Sequence, residues 1–126
     1  MTDLPEPTDA DTAPRPEPRW PMVQAFFEHL TGKAPDLNGM LFLIGVQELG
    51  QGSRAFSKEE KQDLMHLGIC TILAPLGHWE PLGPDAEGWP HFAPGVPMPM
   101  LALPDQETYL MTALADYLAA LGLLGP

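Results

Sequence analysis

Basic side chains are scarce in this chain. Lys and Arg together number 6 against 17 Asp and Glu, for a formal net charge of −11 at pH 7. Nucleic-acid binding depends on Lys and Arg that displace phosphate counterions, so neither DNA nor RNA is an expected partner. An anionic membrane surface is disfavoured on the same ground. The acidity reads first as a solvated surface, and second as a field that attracts cationic partners.

Cysteine is nearly absent as well: Cys70 stands alone. A lone thiol closes no internal disulfide, so cysteine usage does not mark an extracellular chain. Long apolar runs are missing. The longest, MLFLIGV at 40–46, falls far short of the roughly 20 residues that span a bilayer. The opening MTDLPEPTDADTAPRPEPRWP lacks the basic start and apolar centre of a secretion signal, so the cytoplasm is the expected location. There is no G-x-G-x-x-G after a strand, no Walker loop, no G-x-S-x-G and no paired cysteine motif. No cofactor is expected, and no catalytic residue is assigned.

What is present suits one domain: 126 residues, 44 % of them apolar. Residues 1–19 read as a disordered, acidic, Pro-rich tail, with Pro5, Pro7, Pro14, Pro16 and Pro18 favouring polyproline-II and few groups able to join a core. A solubilising spacer is the simpler role for it, and a docking peptide for a proline-binding module the alternative. Residues 20–126 read as a single helical domain.

Four helices are predicted there. Over 21–31, Val23, Phe26, Phe27 and Leu30 form one stripe at i, i+3, i+4 and i+7, with Pro21 in the first turn and Gly32 as terminator. Over 37–49, Asp36 caps a segment that is apolar on nearly every side, which predicts a central helix. A buried strand over 40–46 is the competing reading, because short apolar runs are ambiguous. Gly39 and Gly45 weaken a helix by roughly 1 kcal/mol each relative to Ala, and close approach of a neighbouring helix is the expected compensation. The third helix, 57–76, opens on SKEE, a capping box of Ser57 and Glu60, and stops near Pro75 and Gly77. The fourth is predicted from Asp105 to the vicinity of Gly122, with Leu110, Met111, Leu114, Tyr117, Leu118 and Leu121 as its stripe.

Between the last two helices lies GHWEPLGPDAEGWPHFAPGVPMPMLALP, residues 77–104. A structureless loop of that length inside a compact domain would be unusual. The PDAEG at 84–88 has good turn chemistry, and GHWEPL and WPHFAP on either side admit a short, irregular hairpin. The segment is therefore read as an ordered clasp. The turn is expected to bring Trp79 and Trp89 close, with both rings fastened to the helices. PGVPMPM is expected to cross the helices in extended form, with Met98, Met100, Leu101 and Leu103 in apolar contact. The expected fold is thus all-α: a four-helix arrangement with a Pro/Trp-rich clasp between the third and fourth helices.

Three constellations carry chemistry. Asp63, His66 and Cys70 share a helical face at i, i+3 and i+7. A mid-helix cysteine gains nothing from a helix N-terminus, so a small buried hydrophobe is the expected role of Cys70. Glu28, Glu48, Asp63, His66 and Asp116 are spread over four helices as in a di-iron bundle. The DLMH at 63–66 imitates half of a Glu-x-x-His motif, but there is no second copy, and no metal site is assigned. In the clasp, His78, Glu80, Asp85, Glu87 and His91 accompany Trp79 and Trp89. His78 and His91 are expected at its rim.

The leading expectation is an interaction or accessory protein that self-associates as a homo-oligomer or binds a protein partner. The alternative is a small enzyme or ligand-binding protein with its pocket between the 77–104 clasp and helix 57–76. His66, His78, Trp79, Trp89 and His91 are the candidate ligand-binding residues. A pocket lined by His66, Trp79, Trp89 and His91 favours the alternative. Tight packing there, with a broad apolar face elsewhere, favours the first.

Overall fold

The computed structural model describes residues 17–52 and 54–124. Among these residues four helices pack around a core: α1 (Trp20–Thr31), α2 (Leu37–Leu49), α3 (Lys58–Leu73) and α4 (Leu103–Ala120). A 3₁₀ turn, Ala74–Leu76, extends α3, and an antiparallel hairpin of β1 (Trp79–Pro84) and β2 (Pro90–Pro94) follows it. The all-α expectation is corrected on this point: the clasp contains a two-stranded sheet. Its regular pairing is possible because the prolines sit at strand ends and at a bulge. The register runs Trp79↔Pro94, Glu80↔Ala93, Pro81↔Phe92, Gly83↔His91 and Pro84↔Pro90, with an irregularity between Pro81 and Gly83.

The helix boundaries follow local chemistry. Asp36 accepts from Gly39 N–H at 2.8 Å, and Gly50 closes α2 in the left-handed region at φ 70°. The run 40–46 is helical, not a strand. At α3, Ser57 Oγ accepts from Glu60 N–H at 3.1 Å while Glu60 Oε1 accepts from Ser57 N–H at 2.9 Å, completing the capping box. Pro75 lacks the N–H that would continue the α pattern, so the chain tightens into the 3₁₀ turn before Gly77. The start of α4 is two residues earlier than expected. Pro104 lies within the first turn, where its missing donor costs nothing, rather than before the helix.

The closest packing is between α2 and α3. A Cβ added at Gly45 would lie 2.0 Å from the Leu64 carbonyl oxygen, and one at Gly68 would lie 2.1 Å from that of Leu41. The two glycines are reciprocal, each seated on the backbone four residues from the other helix's glycine, so the axes meet backbone to backbone. Gly39 plays no such part, since its nearest neighbours are Pro35 and Asp36 in its own cap.

The main core gathers Val23 and Phe27 of α1, Met40, Leu41 and Ile44 of α2, Ile72 and Leu73 of α3, and Leu114 and Leu118 of α4. A satellite cluster of Leu49, Leu64 and Leu67 lies under the hairpin. Trp79 packs on the main core, and Trp89 and Phe92 on the satellite. The tryptophans do fasten the clasp, each half-buried, but at opposite ends of the hairpin. They are not neighbours, because Trp79 opens β1 while Trp89 adjoins the turn.

The segment after β2 does not bury itself across the helices as expected. Met98 is 37 % exposed, Leu103 79 % and Met100 100 %. Pro97 and Pro99 restrict the backbone around Met98 and Met100, while Leu103 already belongs to the first turn of α4. Of the predicted tail, residues 1–16 lie outside the described residues. Residues 17–19 form a turn onto α1, where Glu17 is buried and Arg19 pairs with Glu17 and with Asp116 of α4, both at 2.8 Å.

Two stability measurements follow from this packing. Gly68→Ala should lower stability by about 1–3 kcal/mol, because the carbonyl contact outweighs the ~1 kcal/mol gain in helix propensity. A raised or unchanged urea midpoint would mean that α2 and α3 separate at no cost. Ser57→Ala should cost about 0.5–2 kcal/mol through loss of the cap, also read from the denaturation midpoint. No change there would make the capping box energetically silent.

Candidate functional site

The hairpin leans over one face of α3 and leaves a cleft of about 530 Å³ between them. From the helix come Glu60, Asp63, His66, Leu67 and Cys70, whose spacing of three or four places them on one face. From the hairpin come Asp85, Glu87, Trp89, Pro90, His91 and Phe92. The floor is therefore helical and the roof is the tip of the clasp.

Asp85 organises that tip. Its Oδ1 accepts from the backbone N–H of Glu87 at 2.9 Å and of Trp89 at 3.0 Å. Its own N–H donates to Trp89 O at 2.9 Å, and Gly88, at φ 90°, closes the turn with an N–H to Asp85 O at 3.0 Å. The second oxygen, Oδ2, meets His91 Nε2 at 2.9 Å. The His91 bond, then the Trp89 and Glu87 amides, hold the Asp85 carboxyl below the usual carboxylate range. Gln51 donates from Nε2 to Glu87 O at 3.2 Å and ties the turn to the loop after α2.

On the floor, His66 Nε2 lies 3.5 Å from Cys70 Sγ, and its ring meets Trp79 edge-on with centroids 5.5 Å apart. Cys70 is 2 % exposed, and burial pushes its thiol up to about 11. The thiol therefore stays protonated near neutrality, the reverse of what a nucleophile needs.

Of the five candidate residues, His66, Trp89 and His91 line the cleft. Trp79 stands behind His66 on the main core. His78 is corrected from the rim to the interior. Its Nδ1 is 2.7 Å from Val96 O, a pure acceptor, so Nδ1 carries the hydrogen and donates. In the neutral ring Nε2 then accepts from Tyr109 O–H at 2.7 Å. This arrangement pins the base of the hairpin to α4 and faces away from the cleft. Tyr109 is the partner that sequence reasoning missed; it lies 31 residues away, on a helix read only for its apolar stripe.

The cleft is acidic. Glu60, Asp63, Asp85 and Glu87 line it, and among the described residues no Lys or Arg does. Glu60 is held by Ser57 and by Arg54 at 3.3 Å, and Asp85 by His91. The Ser57 N–H, followed by Arg54, keeps the Glu60 carboxyl below its ordinary range. The side chains of Asp63 and Glu87 have no hydrogen-bond or ion-pair partner among the described residues. The bundle-type carboxylates do not converge: Glu48 accepts from Tyr117 O–H at 2.9 Å and Asp116 pairs with Arg19. Among the described residues no group of three or more His, Cys, Asp or Glu is disposed to hold a metal ion, and no helix is long and apolar enough to cross a membrane. The chain matches no known protein family, no curated protein and no solved structure.

The Asp85 network has a pH consequence. Because the folded carboxyl titrates below its unfolded value, its stabilisation of the turn is fully present above the ordinary carboxylate range. It is lost as pH falls through the lowered value. His91→Ala should move the Asp85 carboxyl upward in a ¹³C-detected NMR titration, with the two backbone donors retaining part of the depression. An unmoved Asp85 would show that the His91 contact is electrostatically empty.

Proposed function

We propose that the protein is a non-enzymatic interaction module whose cleft receives a basic side chain of a protein partner. The observation that carries this reading is the pairing of two carboxylates lacking partners of their own, Asp63 and Glu87, with the aromatic wall of Trp89 and Phe92. An ammonium or guanidinium between them gains both ion pairing and a cation–π contact.

Magnitudes favour a partner over a free amine. Each solvent-exposed ion pair contributes about 0.2–1 kcal/mol, and an exposed cation–π contact about 0.5–1. Their sum stays below the ~4.1 kcal/mol of even millimolar affinity. Useful binding therefore needs further contacts that only a larger ligand supplies. The alternative, a small enzyme or ligand-binding protein with its pocket between the 77–104 clasp and helix 57–76, draws support from the cleft there, which His66, Trp89 and His91 line. An enzyme built on His66 and Cys70 draws support from their 3.5 Å approach. It is disfavoured by the environment that keeps the thiol protonated.

The test is an NMR titration with tetra-arginine peptide, with tetra-glutamate as control. Tetra-arginine should shift the Trp89 indole and the His66 and His91 rings, and the effect should weaken with salt. Asp63→Asn combined with Glu87→Gln should raise Kd by about 2- to 30-fold, from two exposed pairs. Glu28→Gln combined with Glu107→Gln, remote from the cleft, should leave it unchanged. Equal losses in both double variants would reduce the cleft to part of a diffuse acidic field and overturn the reading.

A further inference from the structure

Residues 95–102, between β2 and α4, form neither helix nor strand, yet both ends are fixed. Upstream, Gly95 N–H donates to His78 O at 2.9 Å, Val96 N–H to Gly77 O at 2.8 Å, and His78 Nδ1 to Val96 O at 2.7 Å. A Cβ at Gly95 would stand 2.2 Å from Gly77 O, so the chain is pressed against the end of the 3₁₀ turn there. Downstream, Gln106 donates from Nε2 to Leu101 O at 2.7 Å and from its backbone to Ala102 O at 2.9 Å.

Between these anchors runs Val96, Pro97, Met98, Pro99, Met100. The two prolines fix φ near −65° and bring no N–H, while Val96 and Met98, each preceding a proline, are confined to extended or polyproline-II backbone. Residues 95–100 are all exposed. Met98, at 37 %, is less exposed than Val96 or Met100, and Leu101 beyond them is half-buried. Val96 is 62 % exposed and Met100 100 %, and three residues per turn put them on different edges, with Pro99 and Pro97 respectively. Among the described residues, no backbone group of residues 97–100 is hydrogen-bonded.

We propose that residues 96–100 are a polyproline-II ligand carried on the fold and presented to a partner protein whose groove is lined by aromatic side chains. Such grooves take two edges of a polyproline-II helix and donate hydrogen bonds to its free carbonyls. Here residues 96–100 are exposed and the carbonyls of residues 97–100 are unengaged, while that of Val96 is held by His78. Clamping both ends removes ordering entropy that a free peptide would lose on binding. Strand addition by a second copy fits less well, because Pro97 and Pro99 remove every donor from one side of the segment. This surface is independent of the acidic cleft.

The test uses the full chain against purified SH3, WW and EVH1 domains, followed by calorimetry and by NMR of residues 96–100. At least one class should bind with micromolar Kd, with shifts centred on Val96 and Met100. Met100→Asp, at a fully exposed position, should weaken binding at least about tenfold while leaving folding and the tetra-arginine response of the cleft intact. Pro97→Ala combined with Pro99→Ala should also weaken it, through lost preorganisation. The proposal is overturned if none of the three classes binds, or if binding is indifferent to Met100→Asp. It is equally overturned if sedimentation shows a homodimer that Met100→Asp dissolves, since the occupant would then be a second copy.

Discussion

The approach of α2 to α3 through Gly45 and Gly68 is the constraint on which the rest of the structure depends. With each glycine on the other helix's carbonyl, the two axes cannot slide or rotate without a backbone collision. That fixes how α3 divides its circumference. Leu64, Leu67 and Gly68 are buried, while Glu60, Asp63 and His66 lie nearer solvent on the face that becomes the cleft floor. It also explains how α2 tolerates Gly45, a weak helix former, while being apolar almost all round. Packing of both helices supplies the stability that local propensity withholds.

The hairpin is positioned by three attachments that differ in kind. Trp79 contributes apolar area at the base, on the main core, and Trp89 and Phe92 do the same at the tip, on the satellite cluster. His78 and Tyr109 add a directional contact to α4, buried enough that losing either partner would strand a polar group. Because the hairpin rests on aromatic side chains near its two ends, the carboxylates and imidazoles between them remain accessible. The cleft is the space left by this mode of attachment.

Charge is distributed with the same economy. The few basic side chains for which contacts are resolved serve as local ties: Arg19 joins Glu17 to Asp116, and Arg54 lies against Glu60 and over the ring of Phe56, 4.3 Å from its centroid. Among the described residues none lines the cleft, and of its four carboxylates only Glu60 has an arginine partner, Arg54. The proline segment beyond β2 has no charge at all. The molecule thus presents two surfaces of opposite character, an acidic recess and an apolar ridge, separated by the His78 attachment.

Local chemistry was legible in the sequence wherever one short stretch contains all the interacting atoms. The capping box at Ser57, the cap at Asp36, the glycine stops and the turn at 84–88 each depend on atoms within a few residues, so residue type alone determines them. The helical face bearing Asp63, His66 and Cys70 was equally readable, because periodicity is a local property. Tertiary structure decided the remainder. The pairing of strands rich in proline depends on register, which places prolines at the ends and the extra residue, Leu82, at the bulge. The fate of His78 depends on Tyr109, far along the chain, and no local pattern distinguishes it from His91. The separation of Trp79 from Trp89 follows from strand pairing rather than from their distance in sequence. That Met100 stands fully exposed while Met98 does not reflects how the clamped segment is rotated about its axis, which only the anchors at Gly77, His78 and Gln106 determine.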